Sequence, residues 1–160
     1  MAAKAGAGDK KWAAYLSTEE EGRRGISARD RIGKGPWYNA KGVLIANNLT
    51  DLHVYNRTIT EETALDESGN KINGRGTRPV QHDILTGTTE GGVAFRPDDA
   101  DHTCSNWTSS DEESAQVGHH DRHGGGSVSW VSAHPSRGCG VDDFPTTGGA
   151  GLFYCFSVSE

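Results

Sequence analysis

Apolar residues along this chain come in short groups, never in long runs. WAAYLS at 12–17 and GVLIA at 42–46 stand out in the first half. HDILTG, CSNWTS, AQVGHH, VSWVSA and GLFYCFSV follow in the second. Each holds a few apolar or β-branched residues between Gly, Asp and Ser clusters, the pattern of short strands separated by turns. Residues 2–11 are good helix formers with a small-residue face and predict a helix. TEEE at 18–21 has the form of a capping box and predicts a helical turn. RIGKGPWYNAKG reads as loop, anchored by Trp37 and Tyr38. Residues 48–57 are open between helix and loop, and DESGNKING at 66–74 has hairpin-turn chemistry. Helical signals first and strands later predict an α+β class, mainly antiparallel sheet with one or two helices and long loops.

Composition sharpens this picture. A chain of 160 residues fits one domain over 1–160, and it can bury roughly 70% of its unfolded surface. Only 33% of residues are hydrophobic and 22 are Gly, so the core is small and the loops are turn-rich. Trp, Tyr and Phe spread along the chain argue against disorder. The net charge is −6, with no basic stripe beyond a mild cluster at Arg23, Arg24, Arg29, Arg31 and Lys34. A nucleic-acid partner is therefore not expected. No apolar run approaches the roughly 18 residues of a membrane helix. The opening MAAKAGAGDKK does not have the form of a signal peptide.

The densest chemistry is SAQVGHHDRHGGG at 114–126, which holds three of the seven histidines. If 115–123 is a strand, its side chains alternate faces. Val117, His119, Asp121 and His123 then share one face, and His120 and Arg122 the other. Two histidines and a carboxylate at i, i+2 and i+4 can converge on zinc with an open position. The alternative is structural: histidines bonded to Asp or to backbone carbonyls, pinning a loop that ends on three glycines. A second candidate surface is RDRIGKGPWYN, where Arg31 and Lys34 stand beside Trp37 and Tyr38. Aromatics stack on sugar faces and Arg forks onto carboxylate or sulfate, so this segment suits a glycan or an anionic polymer. Its alternative is that Trp37 and Tyr38 anchor the loop to the core.

Other signals are weaker. DESGNKING has spaced oxygens like the start of an EF-hand loop, but lacks the Glu at position twelve. The acidic stretches RPDDADH and DEES read as solvated loops. Asn48, Asn56 and Asn106 lie in N-x-S/T sequons, which matter only in a eukaryotic secretory pathway. No nucleophile elbow, P-loop or HExxH occurs, so an enzyme is not expected. Cys104, Cys139 and Cys155 form no CxxC. Two of them can pair and leave an odd thiol, or all three can be reduced core residues.

The stretches AGAGDKKWAAYLST, ARDRIGKGPWYNAKG, HDILTG, TCSNWTS, SAQVGHHDR, SAHPSRGC and GGAGLFYCF, in this order, cover nearly the whole chain. In them the chain resembles the bacterial exported proteins of the endostatin-like branch of the C-type lectin fold. The resemblance implies that fold, and it implies four cysteines paired first with fourth and second with third. Cys104 and Cys139 match the second and third, so their disulfide is implied. Cys155 matches the fourth, with its partner expected upstream of Met1, and is expected as a buried free thiol. Endostatin's own zinc ligands lie near its N-terminus and have no counterpart here. The Glu-Pro-Asn, Gln-Pro-Asp and Trp-Asn-Asp calcium signatures of sugar-binding C-type lectins are also missing. Around Pro135 the chain reads AHPSRG.

The expectation is thus a non-enzymatic, extracytoplasmic binding module that recognises a glycan, polysaccharide or extracellular protein surface. Its candidate ligand-binding residues are Arg31, Lys34, Trp37, Tyr38, His120 and Arg122. The alternatives are a metal-binding protein or metal-dependent enzyme, with zinc on His119, Asp121 and His123, and a structural surface or matrix protein.

Overall fold

A computed structural model of the chain describes residues 3–158, apart from 5, 99, 125 and 126. These residues form a mixed α+β structure, mostly sheet with short helices. β1 (Trp12–Ala14) pairs antiparallel with β8 (Cys155–Ser157), joining the two ends of the chain. A four-residue helix, α1 (Ala28–Arg31), precedes a hairpin of β2 (Trp37–Tyr38) and β3 (Leu44–Ala46). The main sheet has four strands in the order β6 (His134–Pro135), β5 (Gln116–His119), β4 (Asp83–Leu85) and β7 (Gly149–Phe153). Both ladders of β5 are antiparallel, whereas β4 and β7 run parallel.

The larger core gathers around Tyr15, which has no exposed surface. Its ring lies 5.3 Å from Trp130, 5.6 Å from Phe156 and 5.9 Å from the imidazole of His53. Ile32, Trp37, Ile45, Leu52, Ile59 and Val131 complete this core. His53 comes from a π-helical turn at Asp51–Tyr55, within the segment left open between helix and loop. His53 Nδ1 donates to the Leu49 carbonyl at 2.8 Å, so Nε2 is free to accept from the Tyr15 hydroxyl at 2.7 Å. Gly118 in β5 is required by space: a Cβ there would sit 2.0 Å from the Trp130 carbonyl oxygen. The absence of a side chain lets the Trp130–Val131 backbone cross the sheet. A smaller core holds Cys104, Ala115 and Cys139, packed by Leu85 and Trp107.

Cys104 and Cys139 form a disulfide, with Cα atoms 5.7 Å apart and a sequence separation of 35. Closing a loop of that length contributes about 3–4 kcal/mol by the chain-entropy estimate.

Several expectations change in the structure. Within the N-terminal segment, whose residues 2 and 5 lie outside the described ones, the chain makes turns rather than a helix. Gly6 N–H donates to the Ala3 carbonyl and Trp12 Nε1 to the Ala7 carbonyl. TEEE leads into a tight turn with a bridge from Glu20 to Arg23, and α1 follows later. CSNWTS is not a strand. Cys104, Ser105, Asn106 and Trp107 have φ of 50°, 52°, 57° and 67°, a left-handed turn that costs about 1–2 kcal/mol per residue. Local bonds hold it. The Asp101 carboxylate accepts from the Thr103 and Ser105 amides, Thr103 Oγ1 accepts from the Asn106 amide, and Trp107 Nε1 donates to the Ser17 carbonyl. VSWVSA supplies Trp130 and Val131 to the core from irregular chain.

Cys155 is a free thiol but is exposed, not buried. Strand alternation explains this: Phe156 takes the inward position, so its neighbour faces out. Alkylation of the native protein without reductant should therefore modify Cys155 and spare Cys104 and Cys139. Labelling of either of the latter would show that the disulfide is absent in solution.

Burial holds the His53 pKa below its ordinary value near 6.5, against the hydrogen bond to Leu49, which raises it. The unfolded chain then binds the proton more readily than the folded one. This contribution to stability is present above the ordinary pKa and is lost as pH falls through it toward the lower folded value. Urea unfolding followed from pH 7.5 down through about 6 should show stability falling. His53→Gln should make that dependence shallower, and an unchanged slope would assign it elsewhere.

Candidate metal centre

The register of the main sheet builds the site. Asp83 of β4 lies directly opposite His119 of β5, so both project to one face. Val117 shares that face with His119 by strand alternation. His134 of β6 lies opposite Val117 and joins them. His82, just before β4, stacks its ring on His119 with centroids 4.3 Å apart and planes 5° from parallel. The His134 ring meets His119 edge-on at 5.0 Å. His82, Asp83 and His119 are buried; the His134 side chain is 33% exposed and forms the outer wall.

Three ring nitrogens converge on one carboxylate oxygen. Asp83 Oδ1 lies 3.2 Å from His82 Nε2, 3.3 Å from His119 Nε2 and 3.7 Å from His134 Nε2. The other nitrogen of each ring fixes its tautomer. His82 Nδ1 faces Asp121 Oδ1 at 3.1 Å, His119 Nδ1 the Ser127 carbonyl at 3.2 Å, and His134 Nδ1 the Pro135 carbonyl at 2.9 Å. Each Nδ1 has hydrogen-bond geometry to its acceptor, whereas each Nε2, though close to Asp83 Oδ1, does not; that geometry places the hydrogen of the neutral ring on Nδ1. The three Nε2 atoms then present bare lone pairs to a carboxylate that also only accepts. Asp83 Oδ1, Asp83 Oδ2 and His119 Nε2 accordingly have no partner with hydrogen-bond geometry. Buried polar groups left in this state are costly.

A cation resolves the conflict. Zinc with ligand bonds of about 2.0–2.1 Å in tetrahedral geometry has ligand–ligand edges of about 3.3–3.4 Å. The three separations at Asp83 Oδ1 bracket that value. One ligand atom from each of His82, Asp83 and His119 lies within 4.8 Å of the others, so these three residues can hold a metal ion. Without an ion, His119 and His134 can instead turn an Nε2–H toward Asp83, and those hydrogen bonds are what lower its pKa. Burial pushes the Asp83 carboxyl up, but the nearby His119 and His134 rings and the Thr147 hydroxyl outweigh it. They hold it well below the usual carboxylate range. Asp83 is therefore an anion, buried and ready to ligate. The His134 pKa is raised by Asp83, against partial burial.

Of the residues singled out in HHDRH, only His119 enters this cluster. β5 ends there: Arg122 N–H closes a turn onto the His119 carbonyl, with Arg122 at φ 55°, and strand alternation stops. Asp121 consequently lies one layer out, against His82 Nδ1. His123 is exposed, and its backbone amide donates to Asp121 Oδ1 at 3.0 Å. The expected trio of His119, Asp121 and His123 therefore does not converge. Gly125 and Gly126 lie outside the described residues. Gly124 packs on the cluster, since a Cβ there would meet His119 Nδ1 and Cε1 at 2.5 Å.

His82 and Asp83, which with His119 could hold a metal ion, and the adjoining His134 are the residues that sequence reasoning missed. HD in QHDILTG and the His of SAHPS were visible signals, but only strand register brings them to His119.

The candidate ligand-binding residues divide. Arg31, Lys34 and Tyr38 are exposed. Trp37 is buried and donates from Nε1 to the Ile32 carbonyl, the anchoring role. His120 is fully buried, and burial lowers its pKa. Arg122 is turned inward. It donates from Nε to the Ile59 carbonyl at 2.8 Å and from one Nη to the Asn56 carbonyl and side chain at 2.9 and 3.0 Å. Two surface cavities, one against Asp111–Glu113 and one around Glu19–Arg23 and Phe95–Asp98, do not border the metal-ligating residues.

Comparison with protein-family models, with curated proteins and with solved structures finds no match to the chain.

Arg122→Ala should destabilise the domain by about 1–3 kcal/mol, because it strands part-buried carbonyls. Denaturant unfolding measures this. A loss within a few tenths of a kcal/mol would remove Arg122 from the scaffold and return it to the ligand-binding candidates.

Proposed function

We propose that this protein is an extracytoplasmic binding module whose main sheet is stapled by a zinc ion. His82, Asp83, His119 and His134 are its ligands. The observation that carries the reading is the set of three Nε2 atoms gathered within 3.2–3.7 Å of one buried carboxylate oxygen, with every Nδ1 hydrogen-bonded to another acceptor. Imidazole and carboxylate suit zinc among the common divalent ions, and a His₃Asp set fills a tetrahedron. The ion would tie together β4, β5 and the edge strand β6. Because most of the ligand set is buried, a structural role fits better than hydrolysis. The Cys104–Cys139 disulfide suits an oxidising compartment. The resemblance to the endostatin-like branch of the C-type lectin fold supports the extracytoplasmic binding role and not the zinc site.

The binding role rests on Arg31, Lys34 and Tyr38. They lie exposed near α1 and β2, and their chemistry fits the hydroxyl faces and anionic groups of a polysaccharide.

Metal analysis of protein prepared without a histidine tag and dialysed against zinc should find on the order of one equivalent. His119→Ala should abolish that binding. Zinc at about 100 times its Kd should stabilise the wild type by about 2.7 kcal/mol in thermal or urea unfolding. Less than about a tenth of an equivalent, or equal binding by His119→Ala, would remove the ion from this site.

A further inference from the structure

Asp121 touches three separate parts of the molecule, and the metal reading does not use it as a ligand. Its Oδ1 accepts from His82 Nδ1 at 3.1 Å and from the His123 amide at 3.0 Å. Its Oδ2 accepts from the Arg75 amide at 2.7 Å. The side chain is buried, and both oxygens are committed to donors. Gly74 packs against the same carboxylate, since a Cβ there would lie 2.9 Å from Asp121 Oδ2 and 2.7 Å from Glu61 Oε2.

We infer that Asp121 is a positioning residue that locks His82 in the Nδ1–H tautomer and couples the ion site to the Gly74–Arg75 turn. This deepens the metal reading and rests on it for the ion, but its tautomer claim stands without one. Carboxylates lie near both ring nitrogens, but only the Nδ1 contact to Asp121 Oδ1 has hydrogen-bond geometry, so the proton of a neutral His82 sits on Nδ1 and Nε2 is left as an acceptor 3.2 Å from Asp83 Oδ1. Carboxylates in this outer position orient the ring and raise its basicity, and their loss typically costs 10–100-fold in metal affinity.

Asparagine at this place breaks the arrangement in either orientation. With its NH₂ toward His82, it donates to Nδ1, opposes the His123 N–H and moves the ring proton to Nε2, where it blocks the ion. With its NH₂ toward Arg75, it sets two donors face to face. The Arg75 amide also reports on the site: an ion that fixes His82 fixes Asp121, and through it the bond from Arg75 N–H.

Nitrogen-15 NMR of the histidine side chains in metal-free protein, in mildly alkaline buffer, reads the tautomer directly. The wild type should show His82 protonated at Nδ1, and Asp121→Asn should shift that proton to Nε2 or mix the two forms. Chelator competition with zinc and cobalt should then give a 10–100-fold weaker Kd for Asp121→Asn. Hydrogen exchange at the Arg75 amide should slow on zinc loading in the wild type.

An Nε2–H His82 in the wild type overturns the inference, whether or not zinc binds. So does an Asp121→Asn protein that keeps both the tautomer and the affinity. Should Asp121→Asn fail to fold, the wild-type tautomer and the Arg75 exchange decide. A wild type with Nδ1–H His82 that binds no zinc would sink the metal reading and leave the tautomer lock standing.

Discussion

The carboxylate of Asp83 is the constraint around which the main sheet is organised. It is almost wholly buried, yet its surroundings keep it ionised. A buried anion is expensive unless it is paired. Here the three nearest nitrogens are Nε2 atoms of histidines whose hydrogens are engaged on the far side of each ring. Strand register makes this convergence unavoidable: with Asp83 opposite His119 and His134 opposite Val117, three polar side chains share one face of a sheet only a few residues long. The two sides of the molecule are thereby held by different chemistry. Around Tyr15 the packing is aromatic and apolar. Across the β6–β5–β4 ladder it is polar and wants a cation.

Outer contacts hold this polar layer in shape. Asp121 buttresses His82, the Ser127 carbonyl buttresses His119, and Gly124 leaves room for the His119 ring. Arg122 belongs to the same scaffold. It reaches away from the cluster to the Asn56 and Ile59 carbonyls, joining the turn after β5 to the chain beyond the π-helical turn. HHDRH is thus neither a contiguous metal motif nor a simple pin. One residue joins the His82–Asp83 cluster, one supports His82, one is buried, one braces the scaffold and one faces solvent.

Three segments depart from the structure their composition suggests, each for a physical reason. CSNWTS has the composition of a strand, but a disulfide, the Asp101 carboxylate and the Trp107 indole impose a left-handed turn on it. Cys139, Asp101 and the Ser17 carbonyl, which these bonds reach, all lie outside the six residues. VSWVSA likewise has strand composition, yet its Trp and Val serve the core from irregular chain, packed across Gly118. Alternation along 115–123 fails because the strand ends at His119, and a single residue at positive φ re-aims everything after it.

What the sequence determined by itself is the part that local chemistry dictates: the α+β class, the strand at WAAYLS, the short strand within GVLIA, the Asp66 turn and the anchoring role of Trp37, though not of the exposed Tyr38. These follow from side-chain period and turn residues, which act over a few positions. Tertiary structure alone decided which histidines meet. His82 and Asp83, His119, and His134 are far apart in sequence, and a shift of one residue in any strand pairing would send their side chains to opposite faces. Register is a property of the whole packed sheet. The candidate site, which depends on it, could be suspected from HHDRH and drawn only once the strands were paired.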